Sequence, residues 1–153
     1  MSGGRPEPVS EEQVQDDLMR LEAYRNQLQA IVQQHDLLAA SRTDHLRARE
    51  SLEGVDRAES GSEYLVPLGG EAYVRGSIRK DTPVLLGIGS GVVVEMDRSK
   101  AAETVAERTT RIEQALRDLE GQAAALDERI QLLSQRLDSL TRATPGSRNV
   151  GSA

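Results

Sequence analysis

Two adjoining stretches decide the fold of this chain: EYLVPLGGEAYVRGSI at residues 63–78 and PVLLGIGSGVVVE at residues 83–95. Both are rich in β-branched and other apolar residues. Each is interrupted by a short flexible run, Gly69-Gly70-Glu71 in the first and Gly89-Ser90-Gly91 in the second. This composition is typical of paired strands joined by tight turns. The stretches therefore predict two β-hairpins, with strands at residues 64–68, 72–78, 84–88 and 92–96.

The two predicted hairpins are too small to be stable alone. Four short strands with partly apolar faces, and with no helix to cover them, bury too little surface. Their edges favour pairing with other chains, and Pro67 belongs at an edge or a bulge because it lacks a backbone N–H. We therefore expect a shared β-barrel that forms on oligomerisation. The residues expected to carry subunit assembly are Tyr64, Val66, Leu68, Val74, Ile78, Leu86, Ile88, Val92, Val93 and Val94.

Two stretches of nearly equal length flank the hairpins and have helical patterns, at residues 10–53 and 97–143. Ser10 and Gln13 have the spacing of a capping box at the start of the first helix. Gly54 can take the left-handed conformation that commonly follows a helix, so we expect the first helix to end at about residue 53.

Both predicted helices carry heptad repeats, which indicate a coiled coil. The repeat in the second helix consists of Val105, Thr109, Ile112, Leu116, Leu119, Ala123, Leu126, Ile130, Leu133, Leu137 and Leu140. The weaker repeat in the first helix consists of Val14, Leu18, Leu21, Leu28, Val32, Ala39 and Leu46, together with the polar residues Arg25, His35, Arg42 and Arg49. The four polar residues are a departure from an ideal coiled coil.

The predicted helix ends set the pairing of the two repeats. If the chain folds back at the hairpins, residues 53 and 98 lie close, and facing residues have numbers that add to about 151. The repeats agree with this register, because Leu21 then faces Ile130. A parallel homodimer leaves that agreement unexplained. The predicted fold class is therefore α+β, a long antiparallel two-helix coiled coil joined by two β-hairpins.

The composition argues against a rounded globular domain and against several classes of partner. The 153 residues include no Phe, Trp or Cys, whereas a globule of this size normally buries several aromatic side chains. The net charge of −6 is mixed in sign without a basic stripe, so nucleic acid is not an expected partner. No signal peptide is seen, and the longest apolar stretch, 84–94, is too short to span a membrane. We expect a cytoplasmic protein.

No motif in the chain points to catalysis, a metal or a cofactor. The run GIGSG at residues 87–91 resembles part of a dinucleotide fingerprint, but a predicted strand follows it where a helix should begin. A hairpin turn is therefore the favoured interpretation. His35 and His45 lie off a common helical face and have no completing ligand set. No catalytic triad or carboxylate pair is recognisable, so we do not expect an enzyme.

A small group of apolar residues lies near the start of the first helix and the end of the second. Scattered apolar residues are normal on a protein surface, but several in one place can hold exposed apolar chain weakly. The candidate residues for binding non-native protein are Val9, Val14, Met19, Leu132, Leu137 and Leu140.

The chain resembles prefoldin, specifically the α-class subunit of archaeal type. The resemblance covers about residues 10–142. Its most specific parts are YLVPLG at residues 64–69, AYV at residues 72–74 and VLLGIGSGVVVE at residues 84–95. The two hairpins match the α class, whereas the β class has one hairpin in a shorter insert.

The resemblance implies an ATP-independent holding chaperone that needs no cofactor. In prefoldin, two α and four β subunits join their hairpins into two β-barrels. The tips of the coiled coils capture non-native client proteins and pass them to a group II chaperonin. A structural scaffold that uses the hairpins only to oligomerise stays open as the alternative. The tails at residues 1–9 and 144–153 are expected to be disordered.

Overall fold

The computed structural model describes residues 10–79 and 81–143, which form two long helices and four short strands. In chain order these are α1 Glu11–Arg57, β1 Glu63–Gly69, β2 Ala72–Ser77, β3 Val84–Gly89, β4 Val92–Met96 and α2 Arg98–Ala143. β1 pairs with β2 and β3 pairs with β4, both antiparallel. The predicted combination of two long helices and two hairpins is confirmed. The predicted tails lie outside the described residues.

The chain divides into two compact units. The described part of the first, called here the terminal unit, consists of Ser10, residues 11–36 of α1 and residues 117–143 of α2. The second, called here the central unit, is Leu37–Leu116 and contains both hairpins. The buried apolar side chains of both units lie on the helices, so each unit is held together by helix pairing.

α1 begins at the predicted cap. The backbone N–H of Gln13 donates to the Ser10 carbonyl oxygen at 3.0 Å and lies 3.3 Å from the Ser10 hydroxyl oxygen, which also accepts from it. The Ser10 side chain therefore adds a second acceptor for an amide of the first helical turn, as an N-cap residue does.

α1 ends later than the sequence predicts. Gly54 stays helical and the helix continues to Arg57, although glycine in a helix interior costs about 1 kcal/mol relative to alanine. The additional turn places the Asp56 carboxylate 3.4 Å from the guanidinium of Arg98, the first residue of α2. This contact within the central unit favours the longer helix, and it depends on tertiary structure that a local capping pattern does not contain.

The two helices pair in a register that differs from the predicted one, in line with the later end of α1. Three ion pairs between the helices define the observed register: Asp17 with Arg136, His35 with Glu120, and Arg42 with Glu113. Their residue numbers add to about 154, whereas the predicted register had a sum of about 151. The predicted register is therefore wrong by about three residues, which is close to one turn of helix.

The predicted α1 seam consists of two rows of residues spaced seven apart, one beginning at Val14 and one at Leu18. In the terminal unit, the register shift replaces the second row by the row that begins at Asp17. Leu18 and Val32, which were predicted to face α2, are about half exposed, whereas Asp17 and Ile31 are buried. Arg25 is exposed as well. The residues that form the seam side of α1 are Val14, Asp17, Leu21, Tyr24, Leu28, Ile31 and His35 in the terminal unit, and Leu38, His45 and Leu52 in the central unit. In the central unit the predicted seam residues Ala39 and Leu46 are half-buried as well. The α2 seam is as predicted, since all of its positions from Val105 to Leu140 are buried or half-buried.

Both hairpins close with two-residue turns of the same geometry. Gly70 and Glu71 have φ values of 56° and 62°, and Ser90 and Gly91 have values of 51° and 75°. Two consecutive positive φ angles are typical of the type I′ turn, whose twist matches that of paired strands. The GIGSG run thus spans a hairpin turn, as predicted, because β4 begins directly after it.

A β-bulge precedes each turn. The pairing register shifts between Pro67 and Gly69 in β1 and between Gly87 and Gly89 in β3. Gly69 and Gly89 have φ values of 95° and 110° at these shifts, a conformation that side chains with a Cβ rarely adopt. Pro67 therefore lies at a bulge, in agreement with the prediction.

Candidate interaction surfaces

The first hairpin has a coherent apolar face. Val66 lies opposite Val74, and Tyr64 lies opposite Gly76. Side chains at alternating strand positions share a face, so the structure brings these three predicted assembly residues together. Val66 and Val74 are exposed, and Tyr64 is half-buried.

The second hairpin repeats this arrangement. Leu86 lies opposite Val94, and Val84 lies opposite Met96 on the same face. The sequence prediction included the first pair and missed the second, although the same alternation would have indicated it. Val93 was predicted with this group but lies opposite Gly87, on the other face of the hairpin.

The remaining predicted assembly residues lie at the ends of the strands. Leu68 and Ile88 are the residues at the two bulges, and Val92 begins β4 opposite Gly89. Ile78 follows the last residue of β2 and is half-buried.

The other faces of the hairpins are apolar too, as predicted, although Val93 was the residue of these faces that the prediction named. Leu65, Tyr73 and Leu85 lie there and are largely exposed. In the described part of the chain, no residue of any of the four strands is buried. The hairpins therefore present apolar surface on both faces, and exposed apolar surface of this kind marks an interaction site.

In the terminal unit, the candidate binding residues fall into two classes. Met19 and Leu132 are 62% and 60% exposed. Val14, Leu137 and Leu140 are half-buried and belong to the helix seam, because the register places them between the two helices. Val9 lies outside the described residues. The exposed members are therefore the available contacts for a partner.

A basic groove crosses the terminal unit beside Leu132. Its volume is about 270 Å³, and it is lined by Asp17, Arg20, Tyr24, Arg129, Leu132, Leu133 and Arg136. Leu132 lines this groove, whereas Met19 does not. Three of the seven lining residues are arginines and one is a carboxylate, which makes the groove positively charged.

Asp17 at the base of this groove is a buried acid in the helix seam. It is 4% exposed, and its Oδ2 lies 3.2 Å from Nε of Arg136. The approach is an ion pair without hydrogen-bond geometry, which leaves Oδ2 buried with no hydrogen bond. A buried carboxylate held in this way retains much of its desolvation cost. The sequence analysis missed Asp17 because it placed Leu18 in the seam instead.

Polar residues elsewhere in the seam make cross-helix contacts. Arg42 Nε donates to Glu113 at 2.9 Å in the central unit. In the terminal unit, Nε2 of His35 lies 3.5 Å from a carboxylate oxygen of Glu120. Partly exposed pairs of this kind contribute little stability, so their main effect is to oppose other registers, in which the charges would lose their partners.

The described residues show neither a membrane-spanning helix nor a metal site. No helix in this part of the chain combines the length and apolar character that a membrane span needs. Among residues 10–79 and 81–143, no three His, Cys, Asp or Glu side chains are grouped so that they could hold a metal ion. Nδ1 of His45 lies 2.8 Å from the Ser41 carbonyl oxygen of its own helix.

Comparison with known proteins places this architecture in a family. Residues 24–143 match the prefoldin family, described as "Prefoldin subunit". Prefoldin subunit alpha of Methanopyrus kandleri is 33% identical over 113 residues, which are 71% of this chain and 72% of the relative.

Two solved structures share the fold. One is filamentous PFD from Methanocaldococcus jannaschii, determined by cryo-EM, with a TM-score of 0.63 and 20% identity over 76% of this chain and 97% of the other. The second is the crystal structure of the prefoldin beta subunit from Thermococcus strain KS-1, with a TM-score of 0.62 and 24% identity over 91% of this chain and 99% of the other. At these identities the structures show the fold, and the sequence match shows the family. The chain therefore belongs to the prefoldin family of chaperone subunits.

Proposed function

We propose that this chain is the α-class subunit of an ATP-independent holding chaperone. It assembles through its hairpins with β-class prefoldin subunits, two α with four β. It captures non-native protein with its terminal unit and delivers that protein to a group II chaperonin. Family membership supports the chaperone role, and the distribution of exposed apolar surface supports the division of labour between the two units.

Assembly through the hairpins follows from what the strands leave uncovered. Burying one Val or Leu side chain contributes about 1.5–3 kcal/mol, and several such side chains are exposed on each hairpin. Two-stranded hairpins are marginally stable on their own. Pairing with strands of other subunits in a shared β-barrel would cover both the apolar faces and the open edges.

The observation that carries the holding function is the exposure of Met19 and Leu132 in the terminal unit. A pure scaffold has no use for exposed apolar side chains in the unit that carries no hairpin. A holding chaperone needs such side chains, few enough to avoid aggregation and repeated across several subunits so that weak contacts add by avidity. Methionine suits this role because its flexible thioether adapts to different partners.

The test replaces both exposed residues, Met19→Gln with Leu132→Gln, in the assembled complex with β-class subunits. The matched control is Leu37→Gln, which removes an apolar side chain that is 74% exposed on the same helix in the central unit. We expect the double variant to protect a denatured protein from aggregation less well than wild type. The loss should be partial, because the β-class subunits keep their own contacts.

The complexes must first elute alike on size exclusion, so that assembly is equal. Equal protection by the wild type, the double variant and the control across several denatured proteins would show that these two residues do not hold clients. The scaffold alternative would then be favoured for this subunit.

A further inference from the structure

We propose that the basic groove of the terminal unit selects segments of non-native protein in which an acidic side chain stands next to an apolar one. This inference rests on the proposed holding function and specifies which client segments the α subunit prefers. The groove is the one defined above by its seven lining residues, with Arg20, Arg129 and Leu132 on its accessible side.

The charge of the groove is unbalanced in favour of arginine. Arg136 neutralises Asp17 at 3.2 Å. Arg20 and Arg129 line the same groove and form no ion pair within residues 10–79 and 81–143. The chain as a whole has a net charge of −6, so this groove is a local exception that attracts a carboxylate. A guanidinium can receive a carboxylate through two parallel N–H donors.

The apolar lining limits what kind of acidic partner fits. Leu132 and Leu133 supply hydrocarbon surface. Tyr24 is one of only three aromatic residues in the chain, and it adds a ring and a hydroxyl that can donate to a carboxylate oxygen. A purely acidic segment would leave this surface uncovered, and a purely apolar segment would leave the two arginines without a partner.

The size of the groove favours single side chains of an extended segment. Its volume of about 270 Å³ falls below the roughly 300–1,000 Å³ of typical small-molecule pockets. A pair of neighbouring side chains can enter it while the rest of the segment stays outside. The groove therefore fits an acidic side chain followed by an apolar one in its charge, in the chemistry of its lining and in its size.

The experiment compares two labelled, unstructured peptides of about 15 residues that differ at one residue type. One contains Leu-Glu pairs separated by Gly-Ser spacers, and the other contains Leu-Gln pairs in the same places. Fluorescence anisotropy measures their affinity for the full complex. Each exposed arginine–carboxylate pair changes affinity about two- to fivefold, so we expect the wild type to prefer the Leu-Glu peptide by about three- to tenfold.

The groove variant combines Arg20→Gln with Arg129→Gln, and the matched control is Arg25→Gln, an exposed arginine on the same helix that does not line the groove. We expect the preference to fall to less than about twofold in the groove variant and to persist in the control. Arg20→Lys with Arg129→Lys is a second variant that keeps the charge, and it should retain a reduced preference. High salt should weaken the preference of the wild type.

The outcomes separate this inference from the function on which it rests. If the complex protects denatured protein but binds both peptides alike, or keeps its preference in the groove variant, the groove does not select acidic segments and the holding function stands. If the complex neither protects denatured protein nor binds either peptide, the holding function itself is wrong and the inference fails with it.

Discussion

Replacing the buried acid of the terminal unit, Asp17→Leu, is expected to raise the stability of the helix pair. Asp17 occupies a seam position that apolar residues fill in the neighbouring turns, for example Leu21. Its Oδ2 is buried without a hydrogen bond. Replacing a buried ion pair by a well-packed apolar side chain is often neutral or stabilising. The change should therefore remove a desolvation cost and add apolar burial.

The magnitude follows from the burial of the two partners. A leucine at this buried position gains about 1.5–3 kcal/mol from the apolar surface removed from water. The lost ion pair is worth about 0–1 kcal/mol, because Arg136 is 54% exposed and its charge is screened by solvent. The net gain is about 0.5–3 kcal/mol, which corresponds to a rise in Tm of about 1–12 °C at about 2–4 °C per kcal/mol for a chain of this size.

The assay is thermal unfolding of the full complex, followed by circular dichroism at 222 nm at fixed protein and salt concentrations. Asp16→Leu is the matched control, since Asp16 is exposed, and it should change stability by less than about 0.5 kcal/mol. Leu21→Ala should lower stability by about 2–5 kcal/mol, which establishes that the transition reports on this region. A clear drop in Tm for Asp17→Leu, with both controls as expected, would refute the seam assignment of Asp17.

Two further predictions concern register and assembly. Leu21→Cys with Leu133→Cys should form a disulfide within one chain under mild oxidation, because seam partners approach disulfide range. Leu21→Cys with Ile130→Cys, the pair of the other register, should form a disulfide poorly. Efficient linkage of the second pair, or linkage only between chains, would contradict the observed register. Val74→Asp should disrupt the complex while the helices stay formed, because it places a charge on the coherent apolar face of the first hairpin. Ser51→Asp, at an exposed position of α1, is the control. Equal elution of both variants with wild type on size exclusion would refute assembly through that face.

The register in which α1 pairs with α2 is a feature that local sequence patterns do not determine. The α2 seam alternates steps of three and four residues, so a second helix can match it in two registers that differ by three residues. The row that begins with Leu18 and the row that begins with Asp17 contain similar numbers of apolar residues. The position at which α1 ends decides between them. One contact at that end, the ion pair between Asp56 and Arg98, exists only in the folded chain, so a local capping pattern does not contain it.

The interaction surfaces differ in how far the sequence predicts them. The sequence analysis included Tyr64, Val66 and Val74 among the assembly residues, and the structure places them on one face, as the period of two along a strand requires. The groove was not predicted, because its lining is shared by α1 and α2 and the sequence analysis considered only the apolar residues near these helix ends. A surface built by one local element is therefore readable from sequence, whereas a surface shared by two helices requires their exact pairing.

The measurement that tests the central claim most directly is the aggregation of a chemically denatured protein, diluted into buffer without nucleotide, in the presence of the assembled complex. Light scattering over time reports aggregation, and an equal mass of an unrelated coiled-coil protein is the control. A holding chaperone is expected to suppress scattering in proportion to the complex added, with no effect of added ATP. Scattering equal to that of the control at every ratio, for a complex shown to be assembled, would contradict the holding function.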